Sequence, residues 1–368
     1  MHQHLAFQRQ STRTHPNYRQ LLLAERRIGY SVGCKRLCRE RRLGSILRAR
    51  AYLSFQTVAE AGESPNASHT RTYLPNGWNV AYVSRPDIPF LYNEIFLEQA
   101  YFQHGITLEP DSIVVDVGAN IGLFGMLAVQ SCPAGAVVCV EPIPEVHRAL
   151  QANLEWIKSH SRKLDLPCAR FRALNCGVSN GRQSEVAFTF YRGAAGWSSM
   201  CPDDGEVADA VQSFVKEALP NRVGMELNPL TFIGQQLARS SSGVAQWIIQ
   251  VATDVVVRRI LGTKQSVVCP LLTLSEIIAQ EDLSRIDLLK VDVERAELEV
   301  LEGIRSADWE LIQQVVMEVH DLDGNLEKIV AILNNAGFEK VITEQPGTMK
   351  DSTLWNLYAR RAGNSGNL

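Results

Sequence analysis

No apolar run in this 368-residue sequence reaches the roughly 18 residues that a membrane-crossing helix needs. The nearest, "VAQWIIQVATDVVV", is broken by Gln246, Gln250, Thr253 and Asp254. Charge of one sign is also lacking. Lys and Arg number 37 against 40 Asp and Glu, a formal net charge of −3, so nucleic acid and anionic membrane surfaces are not expected as partners. Paired metal-binding cysteines are missing as well. The eight cysteines fall at 34, 38, 132, 139, 168, 176, 201 and 269, and no second ligand pair accompanies Cys34 and Cys38, so no zinc site is expected. Several of them lie inside predicted buried strands, as free thiols do in a reducing compartment. The expected protein is therefore soluble and cytoplasmic, or organellar if its first residues are a targeting segment. No internal repeat or low-complexity tract is visible, and nothing in the sequence fixes the oligomeric state.

What is present begins with a contrast. Residues 1–60 carry eleven arginines, Arg9 to Arg50, against only Glu25, Glu40 and the terminal Glu60. Acid-poor, arginine-rich starts read as a cleaved chloroplast or mitochondrial transit peptide or as a basic extension, and charge alone does not choose between them. Residues 61–72 read as a linker, 73–361 as the folded domain and 362–368 as a flexible tail.

Within the domain, "TYLPNGWNVAYVS" predicts a hairpin around a Pro-Asn-Gly turn. "DIPFLYNEIFLEQAYFQHG" predicts one helix stopped at Gly105. Strands and helices then alternate: a strand at Ile113–Asp116, helix at Leu123–Val129, strand at Ala136–Glu141, helix at Pro144–Lys158 and strand at Ala169–Leu174. After "SEVAFTFY", which alternates in period two like an added antiparallel strand, the rhythm resumes with a helix in "TLSEIIAQ". A strand at Ile286–Val291, helix at Ala296–Ile304, strand at Ile312–Val319 and helix at Leu326–Asn335 follow. Phe338–Thr343 and Leu354–Ala359 form a closing antiparallel hairpin. The pattern is α/β: a mostly parallel, Rossmann-like sheet with helices on both faces. Residues 201 to about 264 interrupt it as a long, mostly helical insertion, read as a lid or recognition element.

The stretch "IVVDVGANIGLFG" places a Gly-rich turn after the first parallel strand, where cofactors bind. Gly118, Asn120 and Gly122 sit at alternate positions, without the G-x-G-x-x-G spacing of dinucleotide sites. An aspartate just before the glycines, Asp116, opposes a pyrophosphate at a helix N-terminus. It suits a ligand with an ammonium and a sulfonium and no phosphate, which is S-adenosyl-L-methionine. In "VVCVEPIPE", Glu141 ends the second strand, where a carboxylate can take both hydrogen bonds of a ribose diol. "LNCGVSN" places Asn175 and Gly177 under the expected adenine edge.

Together "VVDVGANIGLFG", "VEPIP", "LLKVDVERAELEVLEGI" and "VVMEVHD" resemble the FkbM-type methyltransferases, most of all the O-methyltransferase branch associated with polyketide synthases. The likeness spans about residues 73–361. It implies a class I methyltransferase fold, S-adenosylmethionine as donor, and acceptors that are hydroxyls of natural products or sugars. One departure stands out: many relatives have glycine after "DVE", where this chain has Arg295, so acceptor identity does not carry over.

For the chemistry, a hydroxyl acceptor needs alignment and a base. His320 is the expected base, since imidazole titrates near neutrality, oriented by Glu318 or Asp292. Asp292 ends the fourth strand, facing donor and acceptor alike. Asp292 and Asp321 offer an alternative magnesium pair, but no full octahedral set exists and no metal is expected. Lys290, Glu297 and Glu299 read as strand-edge and helix-surface residues. The loop "AAGWSSMCPDD" offers Trp197 either as a wall over the acceptor or as a buried anchor. The expected function is O-methylation of a small or medium-sized hydroxylated metabolite. The rivals are a non-catalytic or N-directed protein of the same fold that binds the donor. Amino-directed nucleic-acid enzymes need an Asn/Asp-Pro-Pro-aromatic loop where this chain has "DVER", and the "NPL" at Asn228 lies in the insertion.

Overall fold

The computed structural model describes residues 69–205, 208, 212, 242–346 and 353–362. The basic extension, Cys34 and Cys38, most of the linker, most of the insertion including Asn228, and the last residues of the tail lie outside the described residues.

The described part opens with the predicted hairpin, β1 (Arg71–Tyr73) against β2 (Asn79–Ala81), antiparallel. The expected single helix after it is instead three pieces. α1 (Asp87–Tyr92) runs into a π-helical turn at Asn93–Glu98 and then a 3-10 turn at Ala100–Phe102. The break falls at Gln99, left-handed at φ 52°. A π turn inserts one residue per turn and re-aims the side chains around it, often at functional sites. Here it brings Glu94 and Tyr101 onto one hydrogen bond.

From β3 (Ile113–Val117) the predicted alternation follows: α2 (Leu123–Ser131), β4 (Ala136–Val140), α3 (Pro144–Lys163) and β5 (Arg170–Leu174). Next come β6 (Gly177–Val178) and β7 (Glu185–Tyr191), then α4 (Gly243–Leu261) within the insertion, and β8 (Lys264–Leu272). The second half of the fold is α5 (Leu274–Gln280), β9 (Leu288–Val291), α6 (Glu297–Glu302), β10 (Gln314–His320), α7 (Asn325–Asn335), β11 (Lys340–Glu344) and β12 (Leu354–Arg360).

The main sheet has seven strands in the order β11-β12-β10-β9-β3-β4-β5, and only β12 runs antiparallel to its neighbours. The Val-rich strands read as continuous apolar runs because helices cover both faces. On one face Val114, Leu288 and Val316 pack with Phe124 and Met126 of α2 and Leu150 and Leu154 of α3. On the other, Val115, Leu289 and Val315 pack with Ile277 of α5, Val300 of α6 and Leu333 of α7.

The period-two strand predicted from "SEVAFTFY" forms, but not in this sheet. β7 pairs antiparallel with β8, and β8 pairs in parallel with β6, as a separate three-stranded sheet. The insertion thus leaves from Tyr191 and returns at Lys264, which are cross-strand partners.

Candidate active site

The site lies where the central strands end. Register decides its contents, because in parallel strands directly opposed residues share a face. Asp116 of β3 stands opposite Lys290 of β9, and Lys290 opposite Val316 of β10. Alternate positions therefore carry one polar row along a single face: Asp116, then Lys290 and Asp292, then Glu318 and His320.

Asp116 corrects the sequence reading. The strand expected to end at Asp116 runs on to Val117, and Asp116 is 0% exposed. Its Oδ1 lies 3.2 Å from Lys290 Nζ, so its charge is answered from within the protein. Lys290, expected at a strand edge, is buried in mid-sheet. Its ammonium also lies 3.3 Å from Asp292 Oδ2, donates to the Gly118 carbonyl at 3.3 Å, and sits over the Tyr101 ring at 5.0 Å. Burial outweighs the ion pair at Asp116 and pushes its carboxyl up, whereas at Lys290 the two carboxylates outweigh burial and hold the ammonium charged.

The turn after β3 has the shape the glycines imply. Gly118, Asn120 and Gly122 are all left-handed, at φ 77°, 51° and 83°. The reason at the two glycines is packing against protein. A Cβ on Gly118 would lie 1.7 Å from the Asp292 carbonyl oxygen, and one on Gly122 would lie 2.3 Å from Leu150 Cδ1. The loops after β3 and β9 are in this way flush against each other. The Asn120 backbone N–H donates to Glu141 Oε2 (3.1 Å) and the Ile143 N–H donates to Glu141 Oε1 (2.9 Å). Glu141 directly follows β4, which stops one residue earlier than expected, and it has one lone pair per oxygen still to offer. Burial lifts its carboxyl to about 7 against the pull of those two N–H groups.

Asn175 and Gly177 are both engaged within the protein. The Asn175 side-chain amide donates to the Glu141 and Pro142 carbonyls (2.9 and 2.8 Å), so both of its N–H bonds are spent bracing the end of β4. Gly177 is buried in the second sheet, where a Cβ would lie 2.7 Å from Leu271 Cδ2 and 3.0 Å from Phe188 Cζ. Its smallness serves packing.

At the mouth beyond β9 and β10, single carboxylate oxygens of Asp292, Glu294 and Glu318 lie within 4.8 Å of one another. Burial and its carboxylate neighbours Asp292, Glu94, Glu294 and Glu297 push the Glu318 carboxyl well above the usual range. Asp321, the other half of the alternative magnesium pair, instead accepts the Leu326 N–H at the start of α7.

His320 does not open onto this mouth. It is 5% exposed, with Nδ1 3.2 Å from Glu297 Oε1 and Nε2 3.6 Å from Glu294 Oε2. Its partners include Glu297 and Glu294. Glu297, read as a helix-surface residue, is buried and also accepts the Arg295 backbone N–H. Glu299 receives the Ser179 hydroxyl, away from the mouth.

Sequence reasoning missed two residues. The Tyr101 hydroxyl lies 2.9 Å from Glu94 Oε1 and 3.1 Å from Asp292 Oδ2, which extends the polar row from Asp116 to the π turn.

Loop 194–205 closes the rim. The Ser199 hydroxyl donates to the Glu294 carbonyl, and both Arg295 end nitrogens lie 3.2 Å from Asp203 Oδ2. Glu294 and Arg295 are both left-handed, at φ 54° and 81°. Glycine is the natural residue there. Arginine is held in place by Asp203. Trp197 packs with Tyr191, Ala194 and Val257 beneath the loop, as an anchor.

A seven-stranded sheet of this order, with a Gly turn braced by a strand-end glutamate and an acid-rich mouth, defines a class I methyltransferase, a class whose methyl donor is generally S-adenosylmethionine. The family model of the methyltransferase FkbM domain matches residues 116–340. The chain belongs to the FkbM methyltransferase family. It is 33% identical over 288 residues to the 31-O-demethyl-FK506 methyltransferase FkbM of Streptomyces tacrolimicus, covering 78% of this chain and 95% of that one. It is 29% identical over 259 residues to methyltransferase sdnD of Sordaria araneosa, covering 70% and 84%. The AMB antimetabolite synthetase AmbE of Pseudomonas aeruginosa is 30% identical over 321 residues, covering 85% of this chain but 13% of that one. Among solved structures, the methyltransferase FkbM of Methylobacillus flagellatus aligns with TM-score 0.39 at 14% identity, covering 70% of this chain and 46% of that one. No helix among the described residues is long and apolar enough to cross a membrane.

Proposed function

We propose that the protein transfers a methyl group from S-adenosylmethionine to a hydroxyl oxygen of a small or medium-sized metabolite. The carrying observation is Asp292. Its carboxylate sits at the mouth between the Lys290 ammonium (3.3 Å) and the Tyr101 hydroxyl (3.1 Å), within reach of both expected substrates. The relative from S. tacrolimicus supports oxygen as the acceptor atom, since its name specifies an O-demethyl substrate.

The chain's residues fit this donor. The carboxyl groups of Glu141, Asp292 and Glu294 lie around the crevice, while the buried Lys290 ammonium is already engaged by Asp116 and Asp292. Such a field disfavours a pyrophosphate and accepts a cation. Glu141 would take the ribose hydroxyls on its remaining lone pairs, and the turn at Gly118–Gly122 would back the donor with main chain. Asp116 acts at one remove, by setting Lys290. When bound, the donor supplies a methyl group already activated on a sulfonium.

The protein's work is alignment and proton handling. Asp292 accepts the hydroxyl proton. Glu318, which keeps its own proton to higher pH, donates a hydrogen bond into the mouth. His320 holds Glu294 and Glu297 and so shapes the loop after β9.

The test is incubation with methyl-labelled donor and a metabolite extract, with products read by mass spectrometry. Asp292→Asn should lower turnover by about 10²-fold or more, the span of a lost general base, while donor binding measured by calorimetry persists. Undiminished turnover in Asp292→Asn would remove Asp292 from the chemistry. Labelling confined to nitrogen would refute the acceptor class.

A further inference from the structure

The polar row does not stop at Asp292. The Tyr101 hydroxyl touches Asp292 Oδ2 and Glu94 Oε1, at 3.1 and 2.9 Å, and has a single proton to give. With both carboxyl groups ionised, one of the two contacts has no hydrogen in it. With a proton on Glu94, Glu94 donates to Tyr101 and Tyr101 donates to Asp292, and every contact is a hydrogen bond. The three groups are thus built to hold a shared proton. Tyr101 is also locked in place by its surroundings. It is 5% exposed, its ring packs edge-on to Phe124 at 5.3 Å, and the Lys290 ammonium lies 5.0 Å from that ring. Glu94 itself lies in the π turn at Asn93–Glu98.

We propose that Tyr101 and Glu94 form a proton relay that draws the acceptor's proton away from Asp292 during methyl transfer. The relay rests on reading the site as a hydroxyl methyltransferase. As the acceptor oxygen bonds to the methyl carbon, the carbon–sulfur bond breaks with its electron pair left on sulfur, and the hydroxyl proton passes to Asp292. The Asp292 carboxyl then gives a proton to Tyr101 Oη while Tyr101 gives its own to Glu94 Oε1. Asp292 is again a carboxylate, Tyr101 is unchanged, and Glu94 is neutral until solvent takes the proton. The relay answers a need of the site. A neutral Asp292 forfeits its ion pair with Lys290, so a proton left there is poorly placed.

Glu94 is faced by Tyr101, Asp292, Lys290 and Glu98, with Glu318 and Tyr358 close behind. Burial, then Asp292, lift its carboxyl to about 7, against the hydrogen bond from Tyr101 and the charge of Lys290. A group that must be ionised to receive the proton makes turnover fall tenfold per pH unit below about 7.

The test uses the full chain, the acceptor found in the extract screen, and the variants Glu94→Gln and Tyr101→Phe. Both should keep donor affinity by calorimetry and acceptor KM within about threefold, and lose about 30-fold or more in kcat. In Glu94→Gln the fall in kcat below neutral pH should disappear. One side-chain carboxyl resonance titrating near neutrality in glutamate-13C-labelled protein should vanish with it. Should Glu94→Gln melt far below the parent, Tyr101→Phe decides, since it keeps the ring and its packing. Variants with parental kcat and an unchanged pH profile, beside a parent that methylates hydroxyls, overturn the relay alone. A parent that methylates no hydroxyl at any pH overturns the reading of the site and the relay together.

Discussion

Replacing Lys290 by methionine should expose how the centre of the sheet is balanced. Methionine keeps the length and the apolar stem and deletes the charge. Asp116, with no solvent exposure and Lys290 as its ion-pair partner at 3.2 Å, is then a buried carboxylate without compensation. Removing one member of a buried pair costs about 3–5 kcal/mol. For a domain of this size that lowers the melting temperature by on the order of 10 °C. The loss depends on pH with a definite sign. Without Lys290 the folded-state carboxyl of Asp116 is raised still further above its unfolded value. Stability is then retained at pH below the unfolded value and lost as pH rises through the folded one. Lys290→Met should therefore approach the parent at acid pH and fall furthest behind at pH 8. Adding Asp116→Asn removes the buried charge and should recover most of the deficit, because a buried pair replaced as a unit is often close to neutral. Urea unfolding of the four proteins, donor-free, at pH 5 and pH 8 measures the cycle. A single mutant within about 1 kcal/mol of the parent at pH 8, or a double mutant no better than Lys290→Met, would refute the claim that Lys290 exists to answer Asp116.

Two further outcomes follow from the turn beside this pair. Donor affinity should fall by up to tenfold per pH unit below about 7, since ribose hydroxyls need the ionised form of Glu141; calorimetry from pH 5.5 to 8 should show the slope in the parent and lose it in Glu141→Gln. Gly118→Ala drives a methyl group to within 1.7 Å of the Asp292 carbonyl and adds strain at φ 77°, so the loops must part. It should destabilise the protein by about 2 kcal/mol or more and depress donor binding, as melting and calorimetry would show.

Much of this molecule is legible in the residues. Apart from Asp116 and Lys290, Ile113–Val117, Ala136–Val140 and Leu288–Val291 are apolar on both faces and read as parallel strands, as a sheet covered on two sides requires. That Asp292 follows one strand and Glu318 and His320 end the next is also readable, and it singles these three out. What the sequence does not carry is register. That Asp116 meets Lys290 is a property of two strands far apart in the chain, so an aspartate before a glycine turn looked like a group at the lip. β8 drew no assignment because "KQSVVCPLL" contains Pro270, which argues against a strand until it is seen opposite Glu185 at the end of the pairing. The π turn left no mark either: "YNEIFLEQAY" has ordinary helical spacing, and only packing of Tyr101 against Asp292 calls for the extra residue. The Arg295 departure was visible, and its explanation is conformational: the position is left-handed and Asp203 offsets the strain.

The placing of the insertion has a consequence for change over time. Since Tyr191 and Lys264 face one another across a ladder, a tight two-residue turn can join them. The chain beyond loop 194–205 can be lengthened, shortened or exchanged while the seven central strands keep their order, because the rung, and not the main sheet, carries it.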